Sequence, residues 1–130
     1  YLEKNGVDFL SGRRRGLVGL MKKNALNIFT YNSTAVLEAF ANNYISCCYW
    51  DPNQWAWRKE AQDDLAMLEQ VGIYHRSIES LARFINKHKT NESLILWWSS
   101  NDVQLARNSF CEKYAKTNSN EIKYWSELLN

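Results

Sequence analysis

The sequence predicts an all-α fold, a single compact bundle of six or seven short helices. Apolar residues recur every three or four positions along most of the chain, which is the spacing of one face of a helix. No stretch alternates between polar and apolar residues in the way that a half-buried strand does. Hydrophobic residues make up 45% of the 130 residues and charged residues 23%, as in an ordinary globular domain.

The apolar stripes predict the helices in chain order. Gly72 gives the third of them a C-terminal stop, because glycine readily adopts the left-handed backbone that ends a helix. Ser99 with Asp102, and Asn118 with Glu121, have the spacing of a capping box, which marks the start of the last two. The six stripes run through residues 17–28, 36–47, 57–71, 74–85, 103–114 and 122–129.

The apolar run LILWW at residues 94–98 is ambiguous, because it fits either a buried helical turn or a strand. A strand would need a pairing partner, and the sequence offers no second candidate. We therefore predict a helix, which adds a seventh to the six stripes.

Two tryptophans flank the only proline of the chain in the stretch YWDPNQW, residues 49–55. The stretch predicts a helix start, with Asp51 as the N-cap and Pro52 at the first helical position, where its missing N–H costs nothing. Gln54 then occupies the position that reaches back to the cap, and Trp50 and Trp55 have the spacing of a hydrophobic staple. The alternative is an aromatic site for a ligand or a nucleic-acid base. We favour the architectural interpretation.

Positive charge and glycine are both concentrated at the N-terminus. Residues 1–30 carry a net charge of +4 and residues 31–130 one of −2. Four of the five glycines, Gly6, Gly12, Gly16 and Gly19, lie in the same N-terminal stretch. No linker or internal repeat divides the chain. We therefore predict a single helical domain over residues 1–130, with a glycine-rich basic N-terminal segment at residues 1–30.

A basic cluster stands at the start of the first stripe. Arg13, Arg14 and Arg15 lie at a predicted helix N-terminus, where positive charge opposes the helix dipole, and Lys22 and Lys23 extend the basic surface. Because helix stability does not require this run, it predicts an acidic partner, which is nucleic acid, an anionic membrane or an acidic protein. The alternative is a solvated charge run that serves solubility.

The residue types that most often carry catalysis are few. The chain has two histidines. His75 has Glu79 one helical turn ahead, a pairing that can form a base or a metal site, but we favour a contact on the helix surface. His88 lies near a helix end, where the dipole favours a cation, and we predict a structural role for it.

Neither the cysteines nor the acidic residues form a signature for a metal. Cys47 and Cys48 are adjacent and lack the two-residue gap of redox and zinc motifs. Glu60 and Asp64 share a helix face that we interpret as solvated, since no second helix carries a matching pair. No glycine-rich phosphate loop or nucleophile elbow occurs. We predict no catalytic residue, no metal, no cofactor and no enzymatic activity.

Cysteine content and the absence of targeting signals predict a cytoplasmic protein. The three cysteines are odd in number and two are adjacent, so they indicate reduced thiols and not a disulfide framework. No apolar run reaches the length of a membrane span, and no signal peptide is visible. Two sequons, at Asn32 and Asn91, point only weakly toward secretion.

The expected function is a non-enzymatic helical interaction or regulatory module that binds another macromolecule, with a protein as the expected partner. Trp97, Trp98 and Trp125 would be its contacts, since tryptophan contributes much of the energy of protein interfaces. Nucleic-acid binding through the basic segment is the second hypothesis, and a basic helix on a membrane surface is the third. The acidic balance of residues 31–130 favours the first.

Overall fold

The computed structural model describes Gly6 and residues 16–54 and 57–116. In these residues a parallel sheet is combined with helices, so the predicted all-α bundle is wrong and the fold is mixed α/β. A 3₁₀ turn at Lys59–Ala61 precedes the third helix. In chain order the elements are α1 (Leu17–Met21), β1 (Asn27–Phe29), α2 (Thr34–Ala41), β2 (Ser46–Tyr49), α3 (Gln62–Gln70), β3 (Tyr74–His75), α4 (Ile78–Lys87), α5 (Asn91–Trp98) and α6 (Asn101–Tyr114).

The sheet has three parallel strands in the order β1-β2-β3. Cys48 of the central strand pairs with Phe29 on one side and with Tyr74 on the other. Parallel neighbours need a crossover connection, which α2 provides between β1 and β2 and α3 between β2 and β3. All three strands therefore end on the same side. That side, formed by Phe29, Tyr49 and His75, is the carboxyl edge of the sheet.

Helices cover both faces of β2, whose residues Ser46, Cys47 and Cys48 have no exposed surface. Successive residues of a strand point to opposite faces. Cys48 accordingly packs with residues of α2, α3 and α6, whereas Cys47 packs with residues of α4 and α5. The larger cluster includes Phe40, Leu65, Leu68 and Phe110, and the smaller one Leu81, Phe84 and Leu94.

Two features explain why these strands show no alternation of polar and apolar residues in the sequence. The strands are only three, four and two residues long. In addition, β2 is buried on both faces, so its residues do not alternate between polar and apolar. The stripes at residues 17–28 and 36–47 run into β1 and β2, and the stripe at residues 74–85 begins with β3, because a spacing of three or four can continue by chance past the end of a helix.

The end of α3 confirms the predicted stop at Gly72. This residue has φ of 79°, in the left-handed region that glycine tolerates. The Ile73 N–H donates to the Leu68 carbonyl at 2.9 Å, which satisfies a carbonyl that the helix leaves free. Asn43, with φ of 56°, follows α2 in the same conformation.

Several helix predictions are confirmed. Residues 94–98 are helical, and residues 103–114 lie in α6. Two helix caps were not predicted: the Ser77 side chain caps α4, and Thr90 forms a capping box with Ser93 at the start of α5. The N-cap of α6 is Ser100, one residue later than predicted, and the helix predicted at residues 122–129 lies outside the described residues. In the segments that the structure describes, no helix has the length and apolar character to cross a membrane.

Candidate functional site at the carboxyl edge

The carboxyl edge is where open α/β sheets bind ligands, because the loops that follow the strands form a crevice there. The segments after the strands are residues 30–33, 50–58 and 76–77. A cavity of about 360 Å³ opens between the first two segments and the end of α6. This edge cavity is lined by Asn32, Trp57, Arg58, Ala61 and Tyr114.

The segment after β2 begins with a turn, and the helix start predicted at Asp51 is wrong. The Asp51 carbonyl accepts from the Gln54 N–H at 3.0 Å, and its carboxylate accepts from the Asn53 N–H at 2.8 Å. Aspartate followed by proline is equally typical of a type I turn, so the sequence pattern fits both structures. The α-helix begins only at Gln62. Trp55, the second half of the predicted staple, lies outside the described residues.

Trp50 anchors the start of this segment in the core. Its ring stacks on that of Trp57, with centroids 5.7 Å apart and planes inclined by 10°. The Tyr74 hydroxyl donates to the Trp50 carbonyl at 3.1 Å. Burial raises the pKa of Tyr74 to about 12, so the hydroxyl stays protonated and keeps donating at neutral pH. The stack thus extends from the buried Trp50 to Trp57 at the edge cavity.

A buried carboxylate holds Tyr114 at the edge cavity. Asp64 of α3 accepts from the Tyr114 hydroxyl at 2.7 Å and from the Lys113 ammonium at 2.5 Å. The hydrogen bond from Lys113 lowers the pKa of Asp64, and the hydrogen bond to Asp64 raises the pKa of Tyr114. Because Asp64 is only 5% exposed, the predicted solvated acidic face is wrong at this residue.

The remaining polar groups of the edge cavity suit an anion. Arg58 is exposed and has no ion-pair partner in the part of the chain that the structure describes. The Trp57 indole N–H is buried and has no acceptor among the same residues. Asn32 directly precedes Ser33, the N-cap of α2, whose side chain makes no capping bond. An N-terminus of this kind, with no acid in its first turn, attracts negative charge.

The described part of the basic cluster lies away from the edge cavity. Lys22 and Lys23 are exposed between α1 and β1, and neither lines the edge cavity. Arg13, Arg14 and Arg15 lie outside the described residues. Partner binding by these five residues stays a prediction.

Trp97 and Trp98 pack inward from α5, with ring centroids 5.4 Å apart. Trp98 is buried, and its indole N–H donates to the Asn43 side chain at 2.9 Å. Trp97 is half-buried and donates to the Val71 carbonyl at 2.8 Å. Their indole N–H groups are therefore engaged within the fold, and a role in partner binding stays a prediction.

The residues that line the edge cavity were not identifiable as a site from the sequence. They come from the loop after β1, the segment after β2, the 3₁₀ turn and the end of α6, and only the folded sheet brings them together. The local signal is the mostly polar stretch from Thr30 to Ser33 directly after a short apolar run, which is typical of a strand that ends at a loop.

Both histidines lie away from the edge cavity. His75 is buried as the last residue of β3, and its Nδ1 lies 3.0 Å from the Ser80 hydroxyl, so the predicted contact on a helix surface is wrong. His88 is the C-cap of α4, which confirms its predicted place at a helix end. Among the residues described, no group of three or more His, Cys, Asp or Glu is arranged to hold a metal ion.

Comparisons with known proteins identify the family. No curated protein and no solved structure matches the chain. The family model described as LIC12162 family transferase matches residues 4–129. The predictions of no enzymatic activity and of a non-enzymatic interaction module, with its nucleic-acid-binding alternative, are therefore wrong, since a site assembled by the fold from distant segments leaves no local motif. The chain belongs to the LIC12162 family of transferases.

Proposed function

We propose that the chain takes part in a group-transfer reaction and that the edge cavity binds an anionic group donor, of the class of phosphorylated nucleosides. Membership of a transferase family supports the reaction class. The place of the cavity supports its use, because open α/β sheets bind ligands beyond the carboxyl ends of their strands.

Arg58 is the observation that carries the proposal. Its guanidinium presents N–H groups in a planar fork that matches the oxygens of a phosphate. The N-terminus of α2, next to Asn32, adds a partial positive charge on the same side of the sheet. Such groups also stabilise the negative charge that develops on a leaving group during transfer. Trp57 supplies an aromatic surface for a planar ring.

Isothermal titration with the diphosphates of uridine, cytidine, adenosine and guanosine tests the proposal. We expect at least one of them to bind the wild-type chain. Arg58→Gln should weaken that binding by roughly tenfold or more, because a charge-assisted hydrogen bond is lost.

Lys59→Gln is the matched control, because Lys59 is also an exposed cation, adjacent in sequence, and does not line the edge cavity. The affinity of Lys59→Gln for the bound diphosphate should equal that of the wild type. Binding that is unchanged in Arg58→Gln, or equally weakened in both variants, would contradict the proposal, as would no binding of any of the four diphosphates.

Three broader predictions stay proposals. A single domain over residues 1–130 is one, and binding of a partner macromolecule by the basic cluster is another, supported by the exposure of Lys22 and Lys23. A cytoplasmic location is the third, and it is supported by three free cysteines, two of them buried.

A further inference from the structure

A second cavity, of about 340 Å³, runs beside β3 between the C-terminal end of α3 and α4. Both histidines of the chain line it. His75 is 4% exposed, and its Nδ1 is engaged with the Ser80 hydroxyl at 3.0 Å. Its other ring nitrogen, Nε2, is buried and has no hydrogen-bond partner of normal geometry among the described residues. We refer to this space as the histidine cavity.

The imidazole of His88 also lines the histidine cavity. His88 also has a buried ring nitrogen, Nδ1, without a partner in the described part of the chain. The Phe84 ring lies next to both imidazoles, 5.2 Å from that of His75 and 4.7 Å from that of His88. Buried polar nitrogens without partners cost free energy, and a ligand that pairs with them recovers it.

The charge of the histidine cavity is positive. Arg83 and Lys87 are four residues apart on α4, so they project from one face of the helix. Neither has an ion-pair partner among the residues that the structure describes. The acidic residue of the lining, Glu69, is paired with Arg76 at 2.6 Å.

Hydrogen-bond donors and cations without ion-pair partners line the histidine cavity. Together they favour an anion over a metal ion as its ligand. Burial lowers the pKa of His75, against smaller opposing contributions from a hydrogen bond with the Gly72 backbone and from the charge of Glu69, so its imidazole is favoured in the neutral form. When the Ser80 hydroxyl donates to Nδ1, the single ring proton is on Nε2, which is then a donor. A metal ion would instead meet two cations and a protonated nitrogen. A phosphate accepts hydrogen bonds at several oxygens at once.

We propose that the histidine cavity is a phosphate-binding site, in which His75 Nε2, Arg83 and Lys87 donate to the oxygens of a phosphate or phosphoryl group. The site is separate from the edge cavity, with which it shares no lining residue, and it does not depend on the proposed transfer reaction.

Side-chain ¹H–¹⁵N NMR spectra test this site directly, because two histidines give few and assignable imidazole signals. We expect inorganic phosphate and pyrophosphate to shift the imidazole signals of His75 and His88 in a saturable way. Acetate at the same ionic strength should not. Free phosphate and a phosphoryl group within a larger ligand are separated by comparing the two phosphates with a nucleoside diphosphate.

The double variant R83Q/K87Q should weaken phosphate binding by roughly tenfold or more, since two charge-assisted hydrogen bonds are lost. The matched control K59Q/K116Q removes two exposed cations that do not line the histidine cavity, and its affinity should be that of the wild type. Backbone spectra of both variants verify that they fold. Shifts that do not saturate, acetate shifts equal to those of phosphate, or equal losses in the two double variants would overturn the proposal.

Discussion

At the scale of single residues, two buried charged side chains tie α6 to the rest of the fold. Arg107 donates to the Phe40 carbonyl at the end of α2 and to the side chains of Gln104 and Asn108. Asp64 of α3 accepts hydrogen bonds from Lys113 and Tyr114 at the end of α6. Because buried charges are costly unless their hydrogen bonds are satisfied, these contacts fix where α6 lies. They thereby also fix one wall of the edge cavity.

Asp64→Ala should lower the free energy of unfolding by about 1–3 kcal/mol, since it removes the acceptor of the Tyr114 hydroxyl and the Lys113 ammonium. We expect a value in the lower half of this range, because the Lys113 side chain is 55% exposed and water screens that ion pair. Urea unfolding measures the difference.

Asp63→Ala is the control for this variant, because Asp63 is exposed on the same turn of α3, and its effect should stay within about 0.5 kcal/mol. The pKa of Asp64 is lowered by folding, so its contribution is present above the ordinary aspartate pKa of about 3.9 and is lost as the pH falls through the lowered value. Equal effects of the two variants at neutral pH would contradict the buried role of Asp64.

At the scale of elements, the helix stop at Gly72 and two of the helices could be predicted from the sequence, whereas the strands could not. The stop at Gly72 depends on one residue and its backbone conformation, so the sequence predicts it. The helical character of residues 94–98 and 103–114 follows from spacing over several turns. A two-residue strand such as β3 carries no pattern of its own. It forms because β2 offers it hydrogen bonds, and the paired residues, such as Cys48 and Tyr74, are 26 positions apart in the chain.

Gly72→Ala should destabilise the protein by roughly 1–2 kcal/mol, because alanine is strained at φ of 79°. Space is not the cause, since an added Cβ would lie 3.5 Å from the Phe84 ring, an ordinary contact distance. Gly19→Ala is the contrasting variant. It lies in α1 with no atom within 4 Å of an added Cβ, and should be neutral or stabilise by up to about 1 kcal/mol. Thermal unfolding that ranks the variants in the opposite order would contradict this account.

At the scale of the whole molecule, the parallel sheet determines which distant residues come together. Patterns within one segment of the sequence do not show this. It directs three strand ends to one edge, so that residues as distant as Asn32 and Tyr114 line one cavity. It also separates two faces, so that the histidine cavity lies with the smaller core cluster that contains Phe84. Both arrangements depend on contacts between segments far apart in the chain, and neither corresponds to a spacing within one segment.

The two adjacent thiols of β2 report on the integrity of this sheet. Cys47 and Cys48 are fully buried on opposite faces, and burial raises the pKa of Cys47 to about 12 and also raises that of Cys48. Only the thiolate reacts with a disulfide reagent, so both should be protected in the folded protein at about pH 8. Cys111 is half-buried and would react separately, so Cys111→Ser isolates the pair.

In Cys111→Ser we expect no modification in native buffer, and a rate of modification that rises with urea in parallel with the loss of helical circular dichroism. The two thiols should become reactive together, because the layers that cover Cys47 and Cys48 are expected to separate in one cooperative unfolding transition. The same variant in full denaturant provides the rate of an unprotected thiol. If either thiol reacts in native buffer at a rate close to that value, β2 is not covered on both faces, and the two-layer arrangement around the sheet is wrong.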